Sequence, residues 1–367
     1  MALPPELLEE IIRLYANSTS SPSHRRQRLF RLCPVSRIFR DLAEHELLRN
    51  AFIDGAQSLK WLGSRIEEGR VQTVDAVSVS FRAGEGMLDR GDVLALLAKL
   101  PRMARLSIVY QPRRFLWERL QVKEEGLEKV AWSNLTHLTL SNISLDFFAT
   151  IPTFSSLTHL SLTGSRFSLP APHPRGALLP PSSLPSLRFL SLRDSPKVDY
   201  RQRERALGPS PIYHPRHLIP LAPQLNALVL DYRLSRALRL SPDYRELFGA
   251  LQKVGTPVLW EFREAPDEKE ALSVLRAFHN DTFGIQHFRI ASSGFLKAFK
   301  QLFETIEELE TVSFAPLLSP EDVEAVEARL AQDNATVLVE RVDDGGEAER
   351  EPEEFLRWCN EERALEG

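Results

Sequence analysis

The chain has 367 residues, of which 43% are hydrophobic and 26% charged, with a formal net charge of −4. That content can bury a sizeable core, and the length suggests two or three domains unless the fold is elongated. Two cysteines exclude a disulfide framework or a cysteine-built zinc centre; the acids at Glu6, Glu9 and Glu10 stand where a secretory signal would be basic, and no run approaches the ~20 apolar residues that span a bilayer, which predicts a cytoplasmic and/or nuclear chain without membrane contact.

The first elements read as helical. Pro4 and Pro5 preset φ for a helix start, Glu6, Glu9 and Glu10 complement the positive end of its dipole, and Leu7, Leu8, Ile11, Ile12 and Tyr15 fall near one apolar face. A polar insert runs from Asn17 to about His24. Pro34 then opens another helix, in which Val35, Ile38, Phe39, Leu42 and Leu47 recur at helical spacing, so that a compact hairpin or trio is expected. Arg13, Arg25, Arg26, Arg28, Arg31, Arg37 and Arg40 fall in a stretch with no acid. They form either a solvated basic face or a docking surface for an acidic partner.

At Leu3, Pro4, Glu6, Leu7 and Ile11, and again at Val35, Ser36, Arg37, Phe39 and Arg40, the chain resembles the F-box family, whose pattern runs L-P-x-E-L, an aliphatic helix, then V-S-x-x-F-R. The resemblance covers residues 1–53. It departs from the family in the polar insert and in lacking the tryptophan that often follows the third helix, where Leu47 and Leu48 stand instead. It implies a Skp-type adaptor and a cullin scaffold as partners, with Leu3, Pro4, Leu7, Leu8, Ile11, Val35 and Phe39 supplying the adaptor contact and its supporting core. The residues by themselves also fit an ordinary helical cap on a larger domain.

Beyond residue 54 the chain repeats itself. The spacing apolar-x-x-apolar-x-apolar starts at Val74, Met103, Leu135, Leu157, Leu187, Leu225, Pro257, Ile285 and Leu309, at intervals of 22 to 38 residues. LTHLTL and LTHLSL are the clearest copies. Each hexamer predicts a short parallel strand, and the segments 92–100, 145–151, 244–254, 268–279, 295–306 and 321–330 carry helical spacing, with Asp243, Asp267 and Ser319 near helix starts. Over 74–314 this resembles the leucine-rich-repeat family in the form often appended to F-boxes, although Asn142 comes one position earlier than the asparagine of that family. The fold class expected is α/β: an N-terminal F-box-like hairpin or trio, then an irregular leucine-rich-repeat solenoid with a parallel strand layer over 54–342. A doubly wound sheet would carry a glycine-rich phosphate loop, which is missing here.

Two Pro-rich segments, 168–185 and 194–223, are expected to be loops. The acidic stretch 343–367 contains Phe355, Leu356 and Trp358, which suit a capping helix or a partner-binding peptide.

Catalytic patterns are missing: the sequence holds no G-x-S-x-G, no phosphate loop, no H-E-x-x-H and no paired C-x-x-C. Cys33 lies in a helical segment and Cys359 among acids, neither a nucleophile's setting. No enzyme activity and no cofactor are therefore expected. Strand alternation places one row of residues, Arg105, His137, His159, Phe189, Ala227, Leu259 and His287, on the face opposite the core. A second row runs Ser78, Ser107, Thr139, Ser161, Ser191, Val229, Glu261 and Arg289, and a third includes Arg193, Asp231 and Arg263. Of these, His137, Thr139, His159, Ser161, Phe189, Arg193, Asp231, Glu261, Arg263, His287 and Arg289 are the expected target-binding face, too poor in basic and aromatic residues for nucleic acid. His137 and His159 could share a metal only if their repeats are adjacent; neutral surface histidines are expected, and no metal site is assigned.

The function expected from the F-box resemblance is substrate recognition in an SCF-type cullin-RING ubiquitin ligase, the repeat face holding an unidentified protein substrate. A leucine-rich-repeat interaction scaffold with a degenerate F-box and no ligase role is the alternative.

Overall fold

A computed structural model describes residues 4–17, 22–69, 74–83, 88–111, 120–122, 127–147, 151–168, 179–193, 215–231, 243–256, 258–262, 271–272, 287–290, 295–298, 311–314, 324 and 336–339. The fold is mixed α/β. It divides into two compact units, the first running from the N-terminus through Leu187 and the second beginning at Arg188.

Three helices open the first unit: α1 (Pro5–Asn17), α2 (Pro22–Leu32) and α3 (Arg37–Arg49). Helix α2 starts inside the polar insert. Helix α3 begins not at Pro34 but three residues later, because Ser36 is extended (φ −162, ψ 168) and its hydroxyl accepts from Phe39 N at 3.2 Å, capping the first turn. Ile12 and Ala16 of α1, Leu29 of α2 and Ala43 and Leu47 of α3 form the buried core of the trio, with Phe39, Leu42 and Trp61 packed against it. Buried Glu46 ties the elements together, since it is paired with Arg25 of α2 and accepts from Asn50 Nδ2 at 3.1 Å.

The chain passes from α3 directly into β1 (Asn50–Ile53), a strand that lacks the hexamer pattern and ends the segment 1–53. Helix α4 (Ala56–Glu67) follows, started by the Ser58 hydroxyl accepting from the amides of Asp54 and Gly55 at 3.0 and 3.2 Å. Strand β2 (Ala76–Arg82) pairs in parallel with β1. Next come α5 (Arg90–Ala98), capped by Asp89, and β3 (Arg105–Gln111), β4 (Leu120–Val122), β5 (His137–Ser141), β6 (Ile143–Asp146), β7 (His159–Thr163) and β8 (Arg166–Ser168). Strands β1, β2, β3, β5 and β7 lie side by side in that order, all parallel. The inward residues of the hexamers, such as Leu138, Leu140, Leu160 and Leu162, are at most 2% exposed.

Strands β4, β6 and β8 build a second, three-stranded parallel sheet. This overturns the helix expected at 145–151, of which residues 148–150 lie outside the described set. Ile143, Leu145 and Phe147 alternate at period two, and all three are buried. One residue turns the chain from β5 to β6: Asn142, at φ 55, the left-handed conformation that asparagine tolerates better than other side chains. Gly164, at φ 56, holds the equivalent place between β7 and β8. Asn142 Nδ2 also donates to the Tyr110 carbonyl at 3.2 Å, and its own carbonyl accepts from Leu120 N at 3.0 Å. The asparagine therefore joins β3 and β4 to the turn.

In the second unit the strands β9 (Phe189–Arg193), β10 (Ala227–Asp231), β11 (Val258–Phe262), β12 (His287–Ile290), β13 (Thr311–Phe314) and β14 (Thr336–Val339) pair in parallel, in chain order. All nine hexamers thus form strands, while β14 has no hexamer. A short helix, α6 (Pro215–Leu218), lies within the stretch expected to be loop up to 223. Helix α7 (Tyr244–Lys253) buries Tyr244, Leu247, Phe248 and Leu251, and Phe248 stacks on Trp260 at 6.3 Å. The expected helices at 268–279, 295–306 and 321–330 lie mostly outside the described residues, as do the rest of the two Pro-rich loops and the stretch 343–367.

Candidate functional site

The N-terminal trio keeps apolar side chains at its surface. Among the described residues, seven of the eight exposed large hydrophobic side chains belong to it: Leu7, Ile11, Leu14, Tyr15, Phe30, Val35 and Ile38. Leu7, Ile11 and Leu14 follow each other at i, i+4 and i+7, so they form one stripe of α1, while Ile12 and Ala16 bury the other. Leu7 is 52% exposed and Val35 62% exposed, which a core role does not explain. Of the residues expected to touch an adaptor, Pro4, Leu7, Ile11 and Val35 are exposed, Leu8 and Phe39 are half-buried supports, and Leu3 lies outside the described residues.

The arginines sort into two groups. Arg13 pairs with Glu9 and Glu10, Arg25 with Glu46 and Arg26 with Asp54, and Arg28 lies over the Tyr15 ring. Arg31, Arg37 and Arg40 are exposed and, among the described residues, have no carboxylate partner; Arg40 Nε donates to the Cys33 carbonyl at 3.3 Å. Burial pushes the Cys33 thiol above its ordinary pKa. That suits packing against the trio's core and not nucleophilic chemistry.

In the first unit the strand rows align as the hexamers imply. His137 stands beside His159, and Thr139 beside Ser161. His137, Thr139 and Ser161 are half-buried and reachable, whereas His159 is only 8% exposed. Burial, reinforced by the neighbouring His137, pushes the His159 imidazole down from 6.5 to about 4. The unfolded chain takes up that proton below pH 6.5 and the folded chain does not until about pH 4, so stability falls as pH drops through this window. The loss attributable to His159 is up to about 3 kcal/mol. Urea unfolding at pH 7 and pH 4.5 measures it, and His159→Gln is expected to flatten this part of the profile; an unchanged slope in the variant refutes the assignment.

The rows of the second unit differ from expectation in two ways. First, the register moves by two residues at β11: Val229 pairs with Leu259, and Asp231 pairs with Glu261. Glu261 in turn pairs with Arg289, and Arg193 follows Leu192, the partner of Leu230. One row therefore runs Arg193, Asp231, Glu261, Arg289. Second, this row is enclosed instead of exposed, with exposures of 7%, 2%, 1% and 8%. Glu261 receives Arg193 through Nε (2.7 Å) and Nη2 (3.1 Å) and Arg289 through Nη1 (3.0 Å). Two cations and two anions make the row neutral overall, the condition under which charges are tolerated away from water. These four residues hold the sheet together before they can meet a target. Phe189 is half-buried, nothing is described of the His287 side chain, and Arg263 lies outside the described residues.

A pocket of about 270 Å³ opens beside Leu127, Val130, Trp132 and Phe147, and Glu128 is the titratable group among its described lining residues. Among the described residues no helix is long and apolar enough to cross a membrane. No protein-family model matches the chain, and no curated protein matches its sequence.

Proposed function

We propose that the chain is a substrate-recognition subunit of an SCF-type cullin-RING ubiquitin ligase, working in the cytoplasm or nucleus. In this reading the N-terminal trio is an F-box that docks a Skp-type adaptor and through it the cullin scaffold, and the strand repeats are a leucine-rich-repeat solenoid that holds the target protein. The observation that carries the reading is the concentration of exposed apolar side chains on the trio, three of which, Leu7, Ile11 and Val35, stand at positions where the sequence resembles the F-box pattern. Exposed Arg31, Arg37 and Arg40, which have no carboxylate partner among the described residues, add complementarity to an acidic partner. His137, Thr139, Ser161 and Phe189 are the half-buried residues of the target face among those described. Ubiquitin transfer itself belongs to other subunits, and this chain contributes positioning.

The test is co-purification of the full chain with a Skp-type adaptor. Leu7→Asp and Val35→Asp are each expected to weaken the complex by roughly 30-fold or more, the loss typical of a central apolar anchor. Because both side chains are largely exposed, thermal stability should change by no more than about 0.5 kcal/mol. Failure of the intact chain to retain adaptor refutes the ligase reading and leaves the interaction-scaffold alternative.

A further inference from the structure

The parallel strands of the first unit present a face whose floor is built from hydroxyls. Ser78, Ser107, Thr139 and Ser161 hold matched positions on β2, β3, β5 and β7, so they stand side by side in one row. Ser141 and Thr163 belong to the next row, two residues further along β5 and β7. All six are half-buried, and among the described residues none of their side chains makes a hydrogen bond. Strand spacing sets neighbours within a row ~4.8 Å apart, and the two rows are about 7 Å apart. Side chains this short keep the floor shallow, so an extended backbone laid on it comes within hydrogen-bonding reach. Each hydroxyl then accepts from an amide or donates to a carbonyl or carboxylate.

The fixed charges on this face have one sign. Arg105 stands in the row on one side of the hydroxyls and Arg82 beyond them on the other, and both are exposed. One Arg105 nitrogen donates to Asn50 Oδ1 at 3.2 Å, a neutral partner that leaves the positive charge in place. Arg82 has no carboxylate partner among the described residues. No aspartate or glutamate lies among the outward-facing residues of β1, β2, β3, β5 and β7. Arg82 pairs with Gln111, and the strand from Arg105 to Gln111 spans about 20 Å, so the two arginines flank the hydroxyl rows. Two cations are too few for a nucleic-acid backbone, which needs a continuous basic track. They match the scattered carboxylates of an acidic polypeptide, to which hydroxyls also donate charge-assisted hydrogen bonds.

We propose that this face holds an extended, acidic segment of a target protein, hydrogen-bonded by the two hydroxyl rows and matched in charge by Arg82 and Arg105. The proposal rests on reading the repeat face as the target-holding surface, and not on adaptor docking.

Fluorescence anisotropy of the full chain with three labelled twelve-residue peptides tests it: alternating glutamate and serine, alternating glutamine and serine, and alternating lysine and serine. The glutamate peptide is expected to bind about 10-fold or more tightly than the glutamine peptide, and the lysine peptide more weakly than either. Arg82→Glu/Arg105→Glu should weaken the glutamate peptide by about 10-fold, and Ser107→Ala/Thr139→Val by about 5-fold, since each lost hydroxyl removes a hydrogen bond. A glutamate peptide that fails to bind at about 1 mM, or binds no better than the glutamine peptide, overturns the proposal. That comparison uses native protein and holds even if the variants misfold. Unchanged affinity in the arginine variant overturns it as well, placing the peptide on another basic surface such as Arg31, Arg37 and Arg40. Adaptor co-purification is scored separately on the same preparations. A chain that keeps adaptor but not peptide refutes this face alone, and one that keeps peptide but not adaptor refutes the ligase reading alone.

Discussion

Glu261→Leu is expected to lower stability by about 3–5 kcal/mol, measured by urea unfolding at neutral pH. Glu261 is 1% exposed and receives three hydrogen bonds from two arginines. Its removal leaves Arg193 and Arg289 enclosed with Asp231 as the one anion left in their row. Each arginine then loses its bonds to this carboxylate while still enclosed, and weakening the compensation of a charge away from water is costly. The double variant Glu261→Leu/Arg289→Leu restores a neutral row, with Arg193 and Asp231 remaining. It should therefore recover part of the loss, giving a clear coupling energy between the two positions. A Glu261→Leu protein within 1 kcal/mol of the parent would show that this row is wet and that its charges are independent.

Asn142→Val should cost about 3 kcal/mol and Asn142→Gly about 1 kcal/mol, the two together separating backbone from side-chain effects. Both variants lose the Nδ2 bond to the Tyr110 carbonyl. Only valine is also forced to φ 55 with a branched Cβ, in the left-handed region where glycine is at ease. Gly164→Val tests the same geometry one repeat later, without a side-chain hydrogen bond to lose, and should cost about 1–2 kcal/mol. Equal losses for Asn142→Gly and Asn142→Val would mean that the turn conformation contributes nothing.

The strands were legible because their pattern is local. An apolar residue, two intervening positions and then two alternating apolar residues identify a short strand with one buried face, and every such hexamer is a strand. Helices α1, α3, α5 and α7 were legible for the same reason at period 3.6, whereas α2 was not, because its first three residues read as part of a polar insert. Elements that depend on distant partners were not. Strands β4, β6 and β8 are three or four residues long, and the apolar residues from Leu145 to Ile151 happen to fall at helical spacing, so the end of β6 read as the start of a helix. Strand β1 and helix α4 were hidden because NAFI is too short to show alternation and because α4 starts on a serine that folds back onto Asp54. Pro34 drew attention from Ser36, whose side chain makes the actual cap.

The candidate surfaces divide along the same line. Resemblance singled out Leu7, Ile11 and Val35, and only the packing of α1, α2 and α3 around Ile12, Leu29 and Leu47 shows that those side chains are left over at the surface. That His137 and His159 stand on adjacent strands follows from the nearly identical hexamers of β5 and β7, 22 residues apart, but His159 is buried instead of lying on an open face, which only the coordinates show.

By itself the sequence determined which residues of each strand face the core, since a side-chain period of two sets the face and a one-residue slip would invert it. Register between strands is a different quantity. A slip of two residues keeps every apolar side chain on its side, so nothing in the hexamers of β10 and β11 distinguishes Val229 beside Glu261 from Asp231 beside Glu261. Tertiary structure made that choice, and with it put Arg193, Asp231, Glu261 and Arg289 into one enclosed, neutral row. The physical reason is that two buried carboxylates and two buried guanidiniums are tolerable only when they stand together.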